Sequence, residues 1–134
     1  MNYWLVKQEP ESYSFADFHK EGKTDWTGVR NYTARNNLKE MKVGDKVFYY
    51  HSGEERAIVG MAKVSKTSFP DPTASDGPWV AVELEAGKPV KNPVTLAAIK
   101  ANPKLANMVL VKLSRLSVSP VTKDEFDEIV DMSK

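Results

Sequence analysis

Lys46-Val47-Phe48-Tyr49-Tyr50-His51-Ser52 and Ala57-Ile58-Val59-Gly60-Met61-Ala62-Lys63-Val64-Ser65-Lys66 are two β-rich runs separated by Gly53-Glu54-Glu55. Such a pair forms a hairpin. The first run is apolar at consecutive positions, Val47 through Tyr50, although side chains along a strand alternate between faces. Both faces of that strand must therefore be covered, which places it at the centre of a curled sheet with helices packed outside.

Toward the N-terminus, Tyr3-Trp4-Leu5-Val6-Lys7 is rich in β-formers and stops at Glu9-Pro10, where proline removes a ladder donor. Ser14 is placed to cap a helix of one or two turns through Lys20, with Phe15 and Phe18 three apart and Gly22 as a stop. Ala34, Leu38 and Met41 fall at helical spacing within Asn31–Met41, and Gly44-Asp45 supplies the next turn. Toward the C-terminus, Phe69-Pro70-Asp71-Pro72-Thr73 reads as a stiff loop leading to a turn at Asp76-Gly77-Pro78. Trp79 to Glu85 then alternates, with Val80, Val82 and Leu84 on one side, as in a half-buried strand.

Thr95 caps a short helix through Lys100 that closes at Asn102-Pro103. Leu105 to Leu113 fits a helix or a strand. Arg115 to Ser119 reads as a closing strand, and Thr122-Lys123-Asp124-Glu125 is a capping box opening a helix with Phe126, Ile129 and Val130 on its apolar face. Strands outnumber helices in this reading, and the expected architecture is α+β, a small curled mixed sheet or barrel with flanking helices.

A chain of 134 residues with 41% hydrophobic residues has room for one core, so residues 1–134 are read as a single domain. Nineteen basic side chains face 18 acidic ones, leaving no broad field to hold a nucleic-acid backbone; any such partner must be gripped locally. The absence of cysteine excludes disulfides, thiolate metal sites and a cysteine nucleophile. His19 and His51 are too few for most histidine-rich metal sites, and neither a metal nor a cofactor is expected. With strand-like sequence from Tyr3 and no long apolar run, the expectation is a cytoplasmic monomer without a membrane partner.

Trp26-Thr27-Gly28-Val29-Arg30-Asn31-Tyr32-Thr33-Ala34-Arg35-Asn36 gathers aromatic, guanidinium and amide groups where a loop enters a helix. Those are the side chains that read a nucleobase by stacking and edge hydrogen bonds. Arg30 beside a helix N-terminus, itself partly positive, calls for compensation: either an anion or polarised carbonyl, or a salt bridge to Glu9 or Asp71. Extending the helical stripe back by three from Ala34 turns Asn31 inward, as a ligand contact or as a cap; Arg35 and Asn36 fall off the stripe. Trp4, Trp26 and Trp79 are core residues or walls of a base-sized slot, Trp26 and Trp79 being the two beside polar company.

His51-Ser52 stands at a strand end, but no nucleophile elbow surrounds the serine and neighbouring strand residues point apart. No catalytic residue is assigned on that basis; Ser52 is either a ligand donor or a turn-stabilising hydroxyl. Lys7 and Glu9, two apart, share a face as an acid/base pair or as an ion pair.

Tyr3-Trp4-Leu5-Val6-Lys7 with Glu9-Pro10, the Trp26-to-Asn36 segment, Phe48-Tyr49-Tyr50-His51-Ser52 and Phe69-Pro70-Asp71-Pro72-Thr73 resemble the EVE domain family, and Asn107-Met108, Arg115 to Pro120 and Glu125-Phe126 continue the match over nearly the whole chain. The resemblance implies a PUA-like fold, a β-barrel with flanking helices, related to the YTH domain that reads modified adenosine. It implies a reader of modified bases, notably modified cytosine in DNA, with a flipped base in a pocket. The implied pocket comprises Trp26, Arg30, Asn31, Tyr50, Ser52, Gly60, Asp71, Pro72 and Trp79, with Lys7 and Glu9 at its mouth.

In that reading Trp26 stacks on or walls the base, Asn31 and Ser52 pair with its edge, Arg30 holds a carbonyl or phosphate, Trp79 closes the side, and Gly60 leaves room. Little sequence lies between Thr73 and Trp79 and no basic extension precedes the first strand, unlike the larger nuclear members. A base already unstacked in single-stranded DNA or RNA is therefore the easier partner, since opening a duplex costs a few kcal/mol. The rival expectation is a small amidohydrolase acting on modified pyrimidine nucleosides, as among the related ASCH proteins, with Lys7 and Glu9 as acid and base. A protein-interaction adaptor is a third.

Overall fold

A computed structural model describes all residues, 1–134. Its strands are β1 (Tyr3–Gln8), β2 (Lys23–Trp26), β3 (Lys46–His51), β4 (Ala57–Pro70), β5 (Val80–Thr95) and β6 (Val118–Val121). They form one sheet in the order β2-β5-β4-β3-β1-β6, with β1 parallel to β3 and the other neighbours antiparallel. β3 is central, as its apolar run requires. Val47 and Tyr49 join one core with Trp4 and Val6, while Phe48 and Tyr50 join a second with Leu5 on the opposite face.

Helices α2 (Phe15–Glu21) and α3 (Tyr32–Glu40) cover the first face through Phe15, Phe18, Ala34 and Leu38. The second face is covered by α4 (Leu96–Ala101), α5 (Val109–Lys112) and α6 (Lys123–Met132), which contribute Ile99, Leu110, Phe126 and Ile129. A helical turn, α1 (Pro10–Tyr13), follows β1 directly: Pro10 ends the strand and opens the helix, because the first helical position needs no amide donor. No helix is long and apolar enough to cross a membrane.

The α+β, PUA-like expectation holds in a sheet that is not closed: β2 and β6 are its two edges and do not pair. Six α-helices accompany six strands, so strands do not outnumber helices. Leu105–Leu113 resolves into the end of a 3-10 turn (Pro103–Leu105) and the single turn of α5. The closing strand starts at Val118 rather than Arg115. β5 runs ten residues past its expected end at Glu85, carrying Pro89 and Pro93. Its pairing with β4 has four register shifts, and bulges of this kind bend paired strands and accommodate prolines.

One buried carboxylate ties the first strand to the centre. Asp45, 3% exposed, accepts from the Trp4 indole Nε1 at 3.0 Å and from the Asn2 and Lys42 backbone amides at 3.1 and 3.0 Å. Trp4 is thus a core residue whose one polar atom is satisfied. Asp45→Ala leaves three donors without a partner and should lower unfolding stability by about 2 to 4 kcal/mol, read from the urea midpoint.

Candidate functional site

The parallel pairing of β1 with β3 brings two strand ends together. Lys7 lies beside Tyr50 and Gln8 beside His51, so Glu9 and Ser52, each one residue beyond, emerge at the same sheet end. There they line a cavity of about 820 Å³. Ser114, Arg115 and Ser117, preceding β6, form another wall, and Leu96 and Lys100 from α4 with Arg56 complete the rim. Arg56 is the one non-glycine residue with positive φ, 46°, a left-handed conformation costly for a side chain and held here at the cavity edge.

The half-buried Lys7 donates from Nζ to the Ser114 carbonyl at 2.6 Å and sits 5.6 Å from the centre of the Tyr50 ring. Burial lowers the Lys7 pKa and raises that of the Tyr50 hydroxyl. The expected Lys7–Glu9 ion pair is not formed; the ammonium instead bridges β1 to the Ser114 loop. Arg56, Lys100 and Arg115 form no ion pair, so the cavity rim is net positive. His51 points away from Ser52: its Nε2 accepts from the Phe15 amide at 3.0 Å, and its Nδ1 lies 2.7 Å from Glu55 Oε1. That imidazole anchors α2 to the sheet.

A smaller groove of about 380 Å³ adjoins the cavity, sharing Ser114 and Arg115 and adding Asn31 and Thr33. Asn31 caps α3, its side chain accepting from the Ala34 amide at 3.0 Å. It is exposed rather than inward, because a cap residue has extended backbone angles (φ −118°, ψ 133°) and lies off the helical stripe projected from Ala34. Arg30 found the compensation its position demands in Asp71, with Nη1 2.9 Å from Asp71 Oδ2. Asp71 is fully buried and also accepts from the Gly28 amide at 2.8 Å and from the Thr73 amide and hydroxyl, both at 2.7 Å. Burial alone would raise its pKa; the Thr73 hydroxyl, Gly28 amide, Arg30 and Thr73 amide outweigh it and hold the carboxyl below its ordinary range.

The implied pocket residues therefore separate into parts. Lys7, Glu9, Tyr50 and Ser52 share the cavity, and Asn31 borders its side groove. Arg30, Asp71 and Trp79 make a cluster of their own, with Arg30 5.7 Å from the Trp79 ring centre and Pro72 exposed beside Asp71. Trp26 is 6% exposed and packs edge-on against Tyr49 at 5.6 Å, so its ring belongs mainly to the core. Gly60 leaves room for protein: a Cβ there would lie 2.3 Å from the Phe15 ring, which fills the space assigned to a base. Residue reading missed Gln8, Arg56, Lys100 and Ser114 as cavity residues and Tyr32 as an exposed aromatic; only Tyr32, inside the Trp26-to-Asn36 segment, carried a local signal.

The model of the EVE domain matches residues 2–132. Thymocyte nuclear protein 1 of Homo sapiens is 34% identical over 167 residues, spanning 99% of this chain and 74% of that protein. The structure of the human protein in complex with 5-methylcytosine-containing DNA superposes with a TM-score of 0.93 at 32% identity, covering 100% of this chain and 98% of that one. A protein of Agrobacterium tumefaciens superposes with a TM-score of 0.97 at 47% identity, covering 99% and 93% of the two chains. An ASCH protein of Zymomonas mobilis shares the fold alone, with a TM-score of 0.63 at 13% identity and full coverage of both chains. Matched along almost its entire length in sequence and in backbone, the chain belongs to the EVE domain family.

Proposed function

We propose that this protein is a non-enzymatic reader of a modified nucleobase, modified cytosine being favoured, and that it takes the base unstacked into the cavity at the ends of β1 and β3. The observation that carries the reading is the meeting of Lys7, Glu9, Tyr50 and Ser52 in a recess roomy enough for a nucleobase, whose rim holds Arg56, Lys100 and Arg115. The human relative's complex with 5-methylcytosine DNA supports the same class of partner. Ser52 and Glu9 offer a donor and an acceptor to a base edge, Lys7 a donor to a carbonyl, and the arginines a seat for the flanking phosphates.

The decisive measurement is a fluorescence-anisotropy titration of single-stranded oligonucleotides carrying one 5-methylcytosine or none. The modified strand should bind about tenfold more tightly, the discrimination that one methyl group earns in a fitted pocket. Ser52→Ala should weaken both strands by a similar factor, because the modified and the plain base offer Ser52 the same hydrogen-bonding edge. Equal binding of both strands, abolished by salt, would sink base-specific reading. Incubating the protein with an acylated cytidine separates the hydrolase reading: release of the acyl group that vanishes in Lys7→Ala would favour the enzyme.

A further inference from the structure

Tyr32 is 60% exposed at the first turn of α3, which needs only Ala34 and Leu38 for its packing. Its ring lies 5.0 Å from the Trp79 ring at a 34° tilt, the Arg35 guanidinium sits 5.1 Å from its centre, and Arg30 covers Trp79 from 5.7 Å. Arg30 is held by Asp71, whereas Arg35 forms no ion pair and hydrogen-bonds only to Asn36. Trp79 is itself steadied by the Gly77 turn, where a Cβ would lie 2.7 Å from its Nε1. The two aromatic rings thus lie side by side with a guanidinium group against each, and Tyr32 keeps most of its area in water with these neighbours in place.

We propose that Tyr32, Trp79, Arg30 and Arg35 form a stacking platform for an unpaired base of single-stranded nucleic acid, adjacent along the strand to the base recessed in the cavity. A groove lies between the two: it shares Ser114 and Arg115 with the cavity and is lined by Asn31 and Thr33, the residues on either side of Tyr32. Aromatic rings accept any base by its flat face, and Arg35 brings an uncompensated charge for the phosphate between the two bases. The platform contributes affinity without sequence preference, while the cavity contributes discrimination. The placement of the recessed base rests on the reading given under the proposed function; stacking at Tyr32 does not.

Calorimetric titration of the wild-type protein, Tyr32→Ala and Tyr32→Phe with a short single strand, plain or carrying one 5-methylcytosine, and with 5-methyl-2′-deoxycytidine alone tests the platform. Tyr32→Ala should weaken both strands about tenfold, the loss expected for one base–aromatic stack, and leave the nucleoside unchanged. Tyr32→Phe should bind like the wild type. Since Tyr32 is exposed, melting temperatures should agree among the three proteins. Unaltered strand affinity in Tyr32→Ala, Tyr32→Phe failing as badly as Tyr32→Ala, or no strand binding by the wild type would overturn the platform. Tyr32-dependent binding of plain and modified strands with equal affinity would sustain the platform and overturn the modified-base reading alone.

Discussion

Asp71→Ala should lower stability by about 3 to 5 kcal/mol, because it removes a buried carboxylate and leaves two backbone amides, a hydroxyl and a half-exposed guanidinium without their acceptor. The loss is large because every partner of Asp71 is a donor: Gly28 N and Arg30 Nη1 on Oδ2, Thr73 N and Oγ1 on Oδ1. Asp71→Asn should be nearly as damaging, since its NH2 group must face a backbone N–H whichever way the amide is turned. The carboxyl is held below its ordinary range in the folded protein, so its contribution is complete above the unfolded-state pKa and is lost as pH falls toward the folded one. In urea unfolding, the gap between wild type and Asp71→Asn should therefore be constant from neutral pH to about pH 5 and narrow by roughly 1 kcal/mol near pH 3. A gap that widens on acidification would contradict an Asp71 held ionised by its donors. The same substitution should loosen Arg30, and with it one end of the aromatic platform.

What was legible in the sequence is what local chemistry decides. Ser14 with Asp17 and Thr122 with Glu125 both form the reciprocal capping boxes that their spacing allows, and Gly22 ends α2 at φ +85°. The run from Val47 to Tyr50 announced a strand covered on both faces, and two separate cores cover it. β2 was illegible because Lys23-Thr24-Asp25-Trp26 has no strand pattern of its own; it is extended because it pairs with β5. The length of β5 was hidden by Pro89 and Pro93, which interrupt any strand pattern after Glu85 and are tolerated through irregular pairing with β4.

The site divides in the same way. Asp71 was one of two carboxylates offered to Arg30 by charge alone, and the fold chooses it. The cavity itself depends on the parallel register of Lys7 with Tyr50, a contact across 43 positions of sequence that no spacing rule encodes. Its far wall, Ser114 and Arg115, sits between a helical turn and a strand, and although Arg115 opens a segment that resembles the family, nothing local marks either residue as lining a cavity. The resemblance to the EVE family grouped the implied residues; the structure divides them between the cavity, the aromatic cluster and the core.

Gly60 carries the sharpest of these distinctions, and a double-mutant cycle with Phe15 resolves it. Phe15 is 6% exposed, its ring 5.4 Å from Tyr49 and 6.0 Å from Phe18, and its amide is fixed by His51. Phe15→Ala should cost about 3 to 5 kcal/mol through the cavity it leaves. Gly60→Ala should cost about 1 to 3 kcal/mol, because a Cβ 2.3 Å from the ring forces it out of a packed position. In the double variant the new methyl group enters the space the ring has vacated, so the second substitution should cost nothing or restore stability, a coupling of at least about 1 kcal/mol. A glycine kept open for a ligand would behave otherwise: Gly60→Ala would weaken binding without loss of stability, and the two stability changes would add.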